Sequence, residues 1–317
     1  MKIQHDVHCH SLYSLCCYDP EANVANFLKK AAELNHKVFG ISNHLWDEKM
    51  PGWSDWYRKQ MINYGLEARN AIPLDTCGMK VLIGVESEYA YFNNKSIGMS
   101  AETAKRFDYM LIPHTHMHMR GYVMQDPLEV VAKREQLKNM IMEKFPEINE
   151  KKATSMAGVF KAVDLEQQMD ENYNPIPYYA KFMTDSFMSL MDNEEFIKIA
   201  KTVPTSIAHP FHPCGFSEEM RAKIIRAVPD DDYRKCFEMS KKLGVAMEIN
   251  TGSFTRIEDD YANEEHIHTF KIAKDVGVKF TFGSDSHSVA GLAGIRKGDR
   301  ISELIGITEN DLMDYVK

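Results

Sequence analysis

Short apolar runs alternate with longer stretches of helical spacing along most of the chain. Seven runs rich in β-branched and apolar residues are predicted to be strands: IQHDVH, KVFGISNH, KVLIGVESEY, FDYMLIPH, PTSIAHP, GVAMEIN and GVKFTFGSD. Helical patterns lie between them, among them PEANVANFLKKAAELN and NEEHIHTFKIAKDVG. This alternation predicts an α/β fold with a parallel sheet, and seven strands favour a TIM-like (β/α)7 barrel over a helix bundle.

One region departs from the alternation. Residues 115–201 are rich in methionine and mostly helical in pattern, as in VVAKREQLKNMIMEKF and FMTDSFMSLMDNEEFIKIAK. We interpret 115–201 as a helical insertion after the fourth strand, within a single barrel domain that covers residues 1–317.

Composition narrows the class of protein. The net charge of -8 argues against a nucleic-acid-binding surface, so no stable nucleic-acid partner is expected. No basic segment followed by an apolar stretch opens the chain, and no apolar run approaches the roughly 18 residues of a membrane span, which predicts a cytoplasmic protein without a membrane partner. The six cysteines form no CxxC pair and are expected to be free thiols. The oligomeric state stays open.

Metal-binding residue types stand at the ends of the predicted strands. In chain order they are His8 and His10, His44, Glu86, His114, His209, and Asp285 with His287. The carboxyl ends of all strands in a parallel barrel open on one face, so these side chains are expected to converge. His8 and His10 alternate along a strand and therefore point to the same side.

The chemistry of this set indicates a multinuclear metal site. Imidazoles and carboxylates together suit zinc, manganese or iron. A catalytic zinc takes three protein ligands and water, so eight or nine ligands imply two or three divalent ions, with Glu86 and Asp285 as natural bridges. Closely spaced ions activate a shared water and clamp the oxygens of a displacement at phosphorus. The residues therefore favour phosphate-ester hydrolysis, with Glu86, Asp285 and His287 as the predicted catalytic residues.

The motifs DVHCHSLYS, SNH, GVESEY, AHP and GSDSH, in this order over nearly the whole chain, resemble those of the PHP (polymerase and histidinol phosphatase) family. The resemblance implies a distorted seven-stranded barrel with a trinuclear metal centre, in a family that includes histidinol-phosphate phosphatases and nucleotide or oligonucleotide phosphoesterases. By the same resemblance, one ion is held by His8, His10, Glu86 and Asp285, a second by Glu86, His114 and His209, and a third by His44 and His287.

The chain departs from the family at one further ligand of the third ion. The resemblance places a histidine or acid at Cys16 or Cys17, whereas the nearest acid is Asp19. Either Asp19 reaches the site through a longer loop, or Cys17 replaces it, and a thiolate would favour zinc over manganese. The plainer interpretation of Cys16 and Cys17 is that they are buried thiols.

Two arginines are candidates for binding the substrate phosphate. The segment MEINTGSFTR resembles a family motif that an arginine follows in histidinol phosphatases, which indicates Arg256. Arg120, in the loop after His114, is the second candidate. His116 and His118 lie in the same loop, and His116 would share the face of His114 if the strand continued.

The leading hypothesis is a metal-dependent phosphomonoesterase with a small phosphorylated metabolite as substrate, histidinol phosphate being the most plausible one. Two alternatives stay open within metal-dependent hydrolysis: a nucleotide or oligonucleotide phosphoesterase, and an amidohydrolase-like enzyme. A scaffold that uses metals only for stability is less favoured, because such a protein is expected to lose ligands and at least eight are present.

Overall fold

The computed structural model describes residues 1–159, 174–254 and 260–317. Each of the seven predicted strand segments contains a strand, although the strands are shorter than the apolar runs because the run ends continue into loops. The strands are β1 His5–Asp6, β2 Val38–Ile41, β3 Lys80–Ile83, β4 Val85–Glu86, β5 Tyr89–Ala90, β6 Ser96–Ile97, β7 Met110–Pro113, β8 Thr205–Ala208, β9 Ala246–Asn250 and β10 Phe280–Gly283.

The described strands form two parallel sheets and one antiparallel pair. The first sheet has the order β1-β2-β3 and the second has the order β10-β9-β8-β7-β4, while β5 pairs with β6. The α/β fold with parallel strands agrees with the prediction. The closed seven-stranded barrel does not, because β1 is only two residues long and joins β10 by separate hydrogen bonds, such as Val7 N to Phe282 O at 3.1 Å, rather than by a ladder.

Helices connect the strands and cover the sheets. They are α1 Val24–Glu33, α2 Ile62–Asn70, α3 Ala101–Ala104, α4 Leu128–Lys144, α5 Glu150–Val159, α6 Ile176–Met191, α7 Glu194–Ala200, α8 Glu218–Arg226, α9 Asp230–Leu243, α10 Asp260–Val276 and α11 Lys297–Ile305. None of these described helices has the length and apolar character needed to cross a lipid bilayer.

Local sequence explains where several helices begin and end. Asn23 caps α1 by accepting a hydrogen bond from the backbone N–H of Asn26. The first turn of α9 carries three aspartates, which favour the positive end of the helix dipole. The same helix ends at Gly244, whose φ of 71° is left-handed and costs least for glycine.

The described residues of the predicted insertion are mostly helical from Leu128 onward, and their two groups of helices pack differently. Side chains of α6, including Phe187, belong to the main hydrophobic core together with those of β7 and β8. The pair α4 and α5 instead surrounds a separate small cluster formed by Ile141, Ala153 and Ala157. The limits 115–201 and the single domain 1–317 stay predictions.

Candidate metal centre

The carboxyl ends of the parallel strands carry the ligand-type side chains. Glu86 is the last residue of β4, and the other members of the cluster follow their strands within a few residues: His8 and His10 after β1, His44 after β2, His209 after β8, and Asp285 and His287 after β10. Because neighbouring strands run in parallel, the loops that follow them lie side by side.

Glu86 lies at the centre of this cluster. Its Oε2 atom is 3.2 Å from Nε2 of His8 and 3.2 Å from Nε2 of His10, and its Oε1 atom is 3.2 Å from Nε2 of His209. Asp285 approaches the first two histidines, with Oδ1 at 3.4 Å from His8 Nε2 and 3.2 Å from His10 Nε2. A carboxylate with imidazoles at both oxygens has the arrangement that a bridging ligand requires.

Stacked imidazoles extend the cluster on one side. The ring of His10 lies between those of His44 and His287, with centroid separations of 4.5 and 4.4 Å. Nδ1 of His44 is 3.4 Å from Oε2 of Glu86. These contacts hold the rings in place and connect the third predicted ligand pair to the Glu86 centre.

Three histidines have their outer nitrogen held by an acceptor. Nδ1 of His8 is 2.7 Å from Oε1 of Glu248, and Nδ1 of His116 is 2.6 Å from Oε2 of Glu88. Nδ1 of His287 is 2.9 Å from the backbone carbonyl oxygen of Asp285. A carbonyl oxygen or a carboxylate can only accept here, so in the neutral ring Nδ1 carries the proton and Nε2 presents its lone pair. Histidines that bind metals are oriented in this way.

The buried carboxylates require positive charge nearby. Burial alone lowers the pKa of His8, yet the carboxylates of Glu248, Asp285 and Glu86 raise it to about 10. Burial raises the pKa of Glu86, but the imidazoles of His44 and His8 hold it well below its usual range. Nδ1 of His10 finds no hydrogen-bond partner among the described residues. Among the described residues no lysine or arginine contacts this array of carboxylates and imidazoles, an arrangement that fits a bound divalent cation.

Two groups that each contain a thiol flank the Glu86 centre. Ligand atoms of His10, Cys16 and His287 lie within 4.8 Å of one another, as do those of His116, His209 and Cys214. Burial raises the pKa of the Cys16 thiol, but the nearby imidazoles of His10, His287 and His44 lower it to about 3.

His116, rather than His114, faces the Glu86 centre. Nε2 of His116 is 3.9 Å from Oε1 of Glu86. Both nitrogens of His114 have partners elsewhere, because Nδ1 is 3.2 Å from Oγ of Ser186 and Nε2 accepts the backbone N–H of Phe211 at 3.1 Å. The predicted ligand His114 therefore lies in the core.

The predicted alternatives for the remaining ligand, Asp19 and Cys17, also make other contacts. Oδ2 of Asp19 accepts the backbone N–H of Val289 at 3.1 Å, and Oδ1 accepts that of Glu21 at 2.9 Å. Sγ of Cys17 donates to the carbonyl oxygen of His287 at 3.2 Å. The thiol that lies among the imidazoles is that of Cys16.

Of the two arginines predicted to bind phosphate, the structure describes the contacts of Arg120. Nε of Arg120 donates to Oδ2 of the buried Asp126 at 3.2 Å, and its guanidinium lies 5.2 Å from the ring of Phe216, so it already has a carboxylate partner, which it shares with Arg134. Arg256 lies outside the described residues.

A cavity of about 600 Å³ opens above the cluster. It is lined by cluster residues and by side chains of the surrounding loops: Glu86, Asp285, His44, His116, His209, His287, Cys16, Cys214, Trp56, Tyr57, His118, Met119, His212, Gly252 and Ser253. Trp56 contacts the His44 ring edge-on at 5.1 Å, whereas Trp46 is buried below. The cavity has room for a small metabolite.

The sequence patterns did not indicate that Glu248, Glu88 and Cys214 belong to the site. Glu248 had a detectable signal, because it is a charged residue in the middle of an otherwise apolar strand and therefore needs a buried partner. Cys214 follows His209 by five residues in HPFHPC. This segment lies beyond the strand, so alternation along a strand cannot predict which way the thiol points.

Comparison with known proteins adds a family and a fold. The model of the PHP domain matches residues 6–193. No curated protein matches the chain. A candidate histidinol phosphatase from Listeria monocytogenes is 14% identical, with a TM-score of 0.53, and the alignment covers 91% of this chain and 97% of that one. Histidinol phosphate phosphatase from Lactococcus lactis, complexed with zinc, L-histidinol and phosphate, is 13% identical over 96% of this chain and 94% of that one, with a TM-score of 0.48. The likeness to the Listeria protein shows a shared fold.

Proposed function

The chain belongs to the PHP domain family, and we propose that it is a metal-dependent phosphoesterase that hydrolyses a phosphate monoester of a small metabolite. Histidinol phosphate is the first substrate to test, because the motif resemblance includes histidinol phosphatases. We place the activity in the cytoplasm, in keeping with the six free thiols.

The observation that carries the proposal is the common direction of the imidazoles. His8 and His116 each give Nδ1 to a carboxylate and turn Nε2 toward Glu86, and Nδ1 of His287 is held by the backbone carbonyl oxygen of Asp285. Core histidines without a ligand have no reason to share this orientation, whereas metal-binding histidines do. The buried carboxylates of Glu86 and Asp285 lie between the same nitrogens.

The residues present fit two or three divalent ions of zinc, manganese or iron. We assign His8, His10, Glu86 and Asp285 to one ion and Glu86, His116 and His209 to a second, while His44 and His287 belong to a third. Such ions, when bound, supply Lewis-acid activation of water and neutralise charge on a phosphate.

The chain's own residues orient this centre and shape the cavity. Glu248 and Glu88 fix the imidazole tautomers of His8 and His116. Glu86 and Asp285 take part in catalysis by holding positive charge where they line the cavity, and the partly exposed His287 lines it beside them.

Metal analysis combined with a substrate panel tests the proposal. The protein, purified without added metal, is analysed for bound elements and then assayed for phosphate release from histidinol phosphate, nucleoside monophosphates and a short oligonucleotide. We expect at least two ions per chain and release from a small monoester. Glu86→Gln should abolish release, while Glu303→Gln, an exposed change on α11, should leave it unchanged.

Two results would contradict the proposal. Fewer than two ions per chain after reloading with zinc or manganese would remove the multinuclear centre. A fully loaded protein that releases phosphate from no compound of the panel would remove the phosphoesterase. Hydrolysis of the oligonucleotide alone would move the substrate class from metabolites to nucleic acids.

A further inference from the structure

We propose that Cys16 and Cys214 are metal ligands at opposite ends of the cluster, so that this chain holds its outer ions with one thiolate each. The inference rests on the proposed metal-dependent function and deepens it by naming two ligands and the metal they select. Cys16 takes the place of the predicted ligand Asp19 beside His287, and Cys214 is an additional ligand beside His209.

The loop after β1 carries Cys16 back to the histidines. Backbone hydrogen bonds from Ser14 N to Ser11 O at 2.8 Å and from Cys17 N to Ser14 O at 3.0 Å form two successive turns. The amide oxygen of the buried Gln60 accepts the backbone N–H of Leu15 at 3.0 Å and anchors the loop. The thiol of Cys16 therefore has a position set by the backbone.

The group around Cys16 has the dimensions of a metal site. Its sulfur and one nitrogen each of His10 and His287 lie within 4.8 Å of one another. In a tetrahedral zinc site, with bonds of about 2.3 Å to sulfur and about 2.0 Å to nitrogen, the ligand atoms are about 3.5 Å apart. A small adjustment of the side chains is enough for Cys16 and His287 to share the third ion, next to the first ion that His10 helps to hold.

Cys214 reaches the opposite end through the loop after β8. Its backbone N–H donates to the carbonyl oxygen of Thr115 at 3.2 Å, and His212 N donates to His209 O at 3.1 Å. The thiol then lies within 4.8 Å of ligand atoms of His116 and His209. Nδ1 of His209, a side chain only 3% exposed, has no hydrogen-bond partner among the described residues. His209 has a left-handed φ of 31°, which indicates that the loop is held in a strained conformation at this point.

Thiolates change which metal the site prefers. Soft sulfur ligands with imidazole select zinc, whereas oxygen ligands suit manganese and magnesium. Two thiolates at the outer positions therefore predict a zinc protein. The remaining cysteines do not share this geometry: Cys9 donates to the carbonyl oxygen of Gly40, and Cys77 is exposed.

Cobalt substitution tests the assignment without reference to activity. Sulfur bound to cobalt(II) produces a charge-transfer band in the near ultraviolet that imidazole and carboxylate ligands do not. The full chain is loaded with cobalt(II), and the band is recorded for the wild type, Cys16→Ser, Cys214→Ser and the double variant. Cys17→Ser is the matched control, because it changes the neighbouring half-buried thiol.

We expect each single variant to lose about half of the band, since each removes one of two sulfur–metal bonds. The double variant should lose the band entirely and Cys17→Ser should retain it. Cys16→Asp, which offers a carboxylate at the same place, should keep its cobalt, lose about half of the band and take up more manganese than the wild type. Circular dichroism of the metal-free variants verifies that each is folded.

A wild type that binds cobalt without the band, or a double variant that retains it, overturns the assignment. Phosphate release measured in parallel separates this outcome from the proposed function. Release without the band contradicts the thiolate ligands alone, whereas the band without release supports them and contradicts the phosphoesterase. A chain that binds no cobalt contradicts both.

Discussion

Replacing Glu248 by glutamine tests whether a residue that faces away from the cavity controls metal binding. The Glu248 carboxylate is fully buried in β9 and has two partners. Oε1 is 2.7 Å from Nδ1 of His8, and Oε2 accepts the backbone N–H of His209 at 2.7 Å. Glutamine keeps the shape of the side chain but turns one acceptor oxygen into a donor.

Either orientation of the new amide has a cost. If the NH2 group faces the backbone of His209, two donors oppose each other in the core, which costs about 1–3 kcal/mol. If it faces His8, the ring accepts at Nδ1 and carries its proton on Nε2, where it cannot bind a metal. Loss of such an orienting partner weakens metal affinity by about 10–100-fold, which corresponds to about 1.4–2.8 kcal/mol.

Competition for zinc against a chromophoric chelator measures this effect. The wild type, Glu248→Gln and the surface control Glu303→Gln are titrated at pH 7, and thermal unfolding of each metal-free protein reports the folding cost separately. A zinc Kd of Glu248→Gln within threefold of the wild type, together with an unchanged unfolding temperature of the metal-free protein, would refute the tautomer argument. A similar loss in Glu303→Gln would show that the measurement does not report on the centre.

Three further changes test other parts of the structure. Both ring nitrogens of His36 lack partners among the described residues, and burial, followed by the charge of Arg296, lowers the pKa of His36 to about 4. The unfolded chain gains a proton at this residue below about pH 6.5. The free energy of unfolding therefore falls as the pH drops from about 6.5 to about 4. In urea unfolding, the wild type should lose about 2 kcal/mol more stability between pH 7.5 and pH 5 than His36→Leu, because the variant lacks the imidazole that gains the proton on unfolding. Gly283→Ala places a methyl carbon 2.2 Å from Oε1 of Glu248, so unfolding stability should fall by about 1–3 kcal/mol and zinc affinity with it. His116→Gln should lower metal content, while His114→Gln should lower stability and keep the metal.

A specific experimental result would contradict each of these predictions. Parallel pH profiles for the wild type and His36→Leu would show that the ring is solvated. Gly294→Ala, where an added methyl meets no atom within 4 Å, is the control for Gly283→Ala, and equal effects would exclude the proposed clash. Loss of metal from His114→Gln but not from His116→Gln would restore the ligand that the resemblance implied.

Strand periodicity was enough to predict the parts of the site closest to the sheet. His8 and His10 follow β1 two residues apart, and both reach Glu86 at 3.2 Å. Glu86 itself is the final residue of β4. At these positions the backbone is still extended, so alternation decides the direction of each side chain. Seven apolar runs could not show whether the barrel closes, because each run is longer than the strand whose backbone hydrogen bonds actually form.

Periodicity failed where the chain leaves the ladder. His114 and His116 are also two residues apart, yet β7 ends at Pro113. The chain then turns, with Met117 N bonded to Thr115 O at 2.6 Å, and only His116 faces Glu86. Cys16 lies within the second of the two turns that begin at Ser11. The direction of such side chains depends on hydrogen bonds between distant loops, which no local pattern encodes.

A charged residue within an apolar strand is a better guide to the site than the loop histidines. Glu248 occupies the middle of β9, between β8 and β10, where both faces of the sheet are covered. A carboxylate there is stable only if donors meet both of its oxygens. Its donors are the ring of His8 and the backbone of His209, which lie on either side of the Glu86 centre. The requirement that a buried charge be paired therefore links two distant histidines to one carboxylate, which fixes the ring of His8 and the backbone at His209.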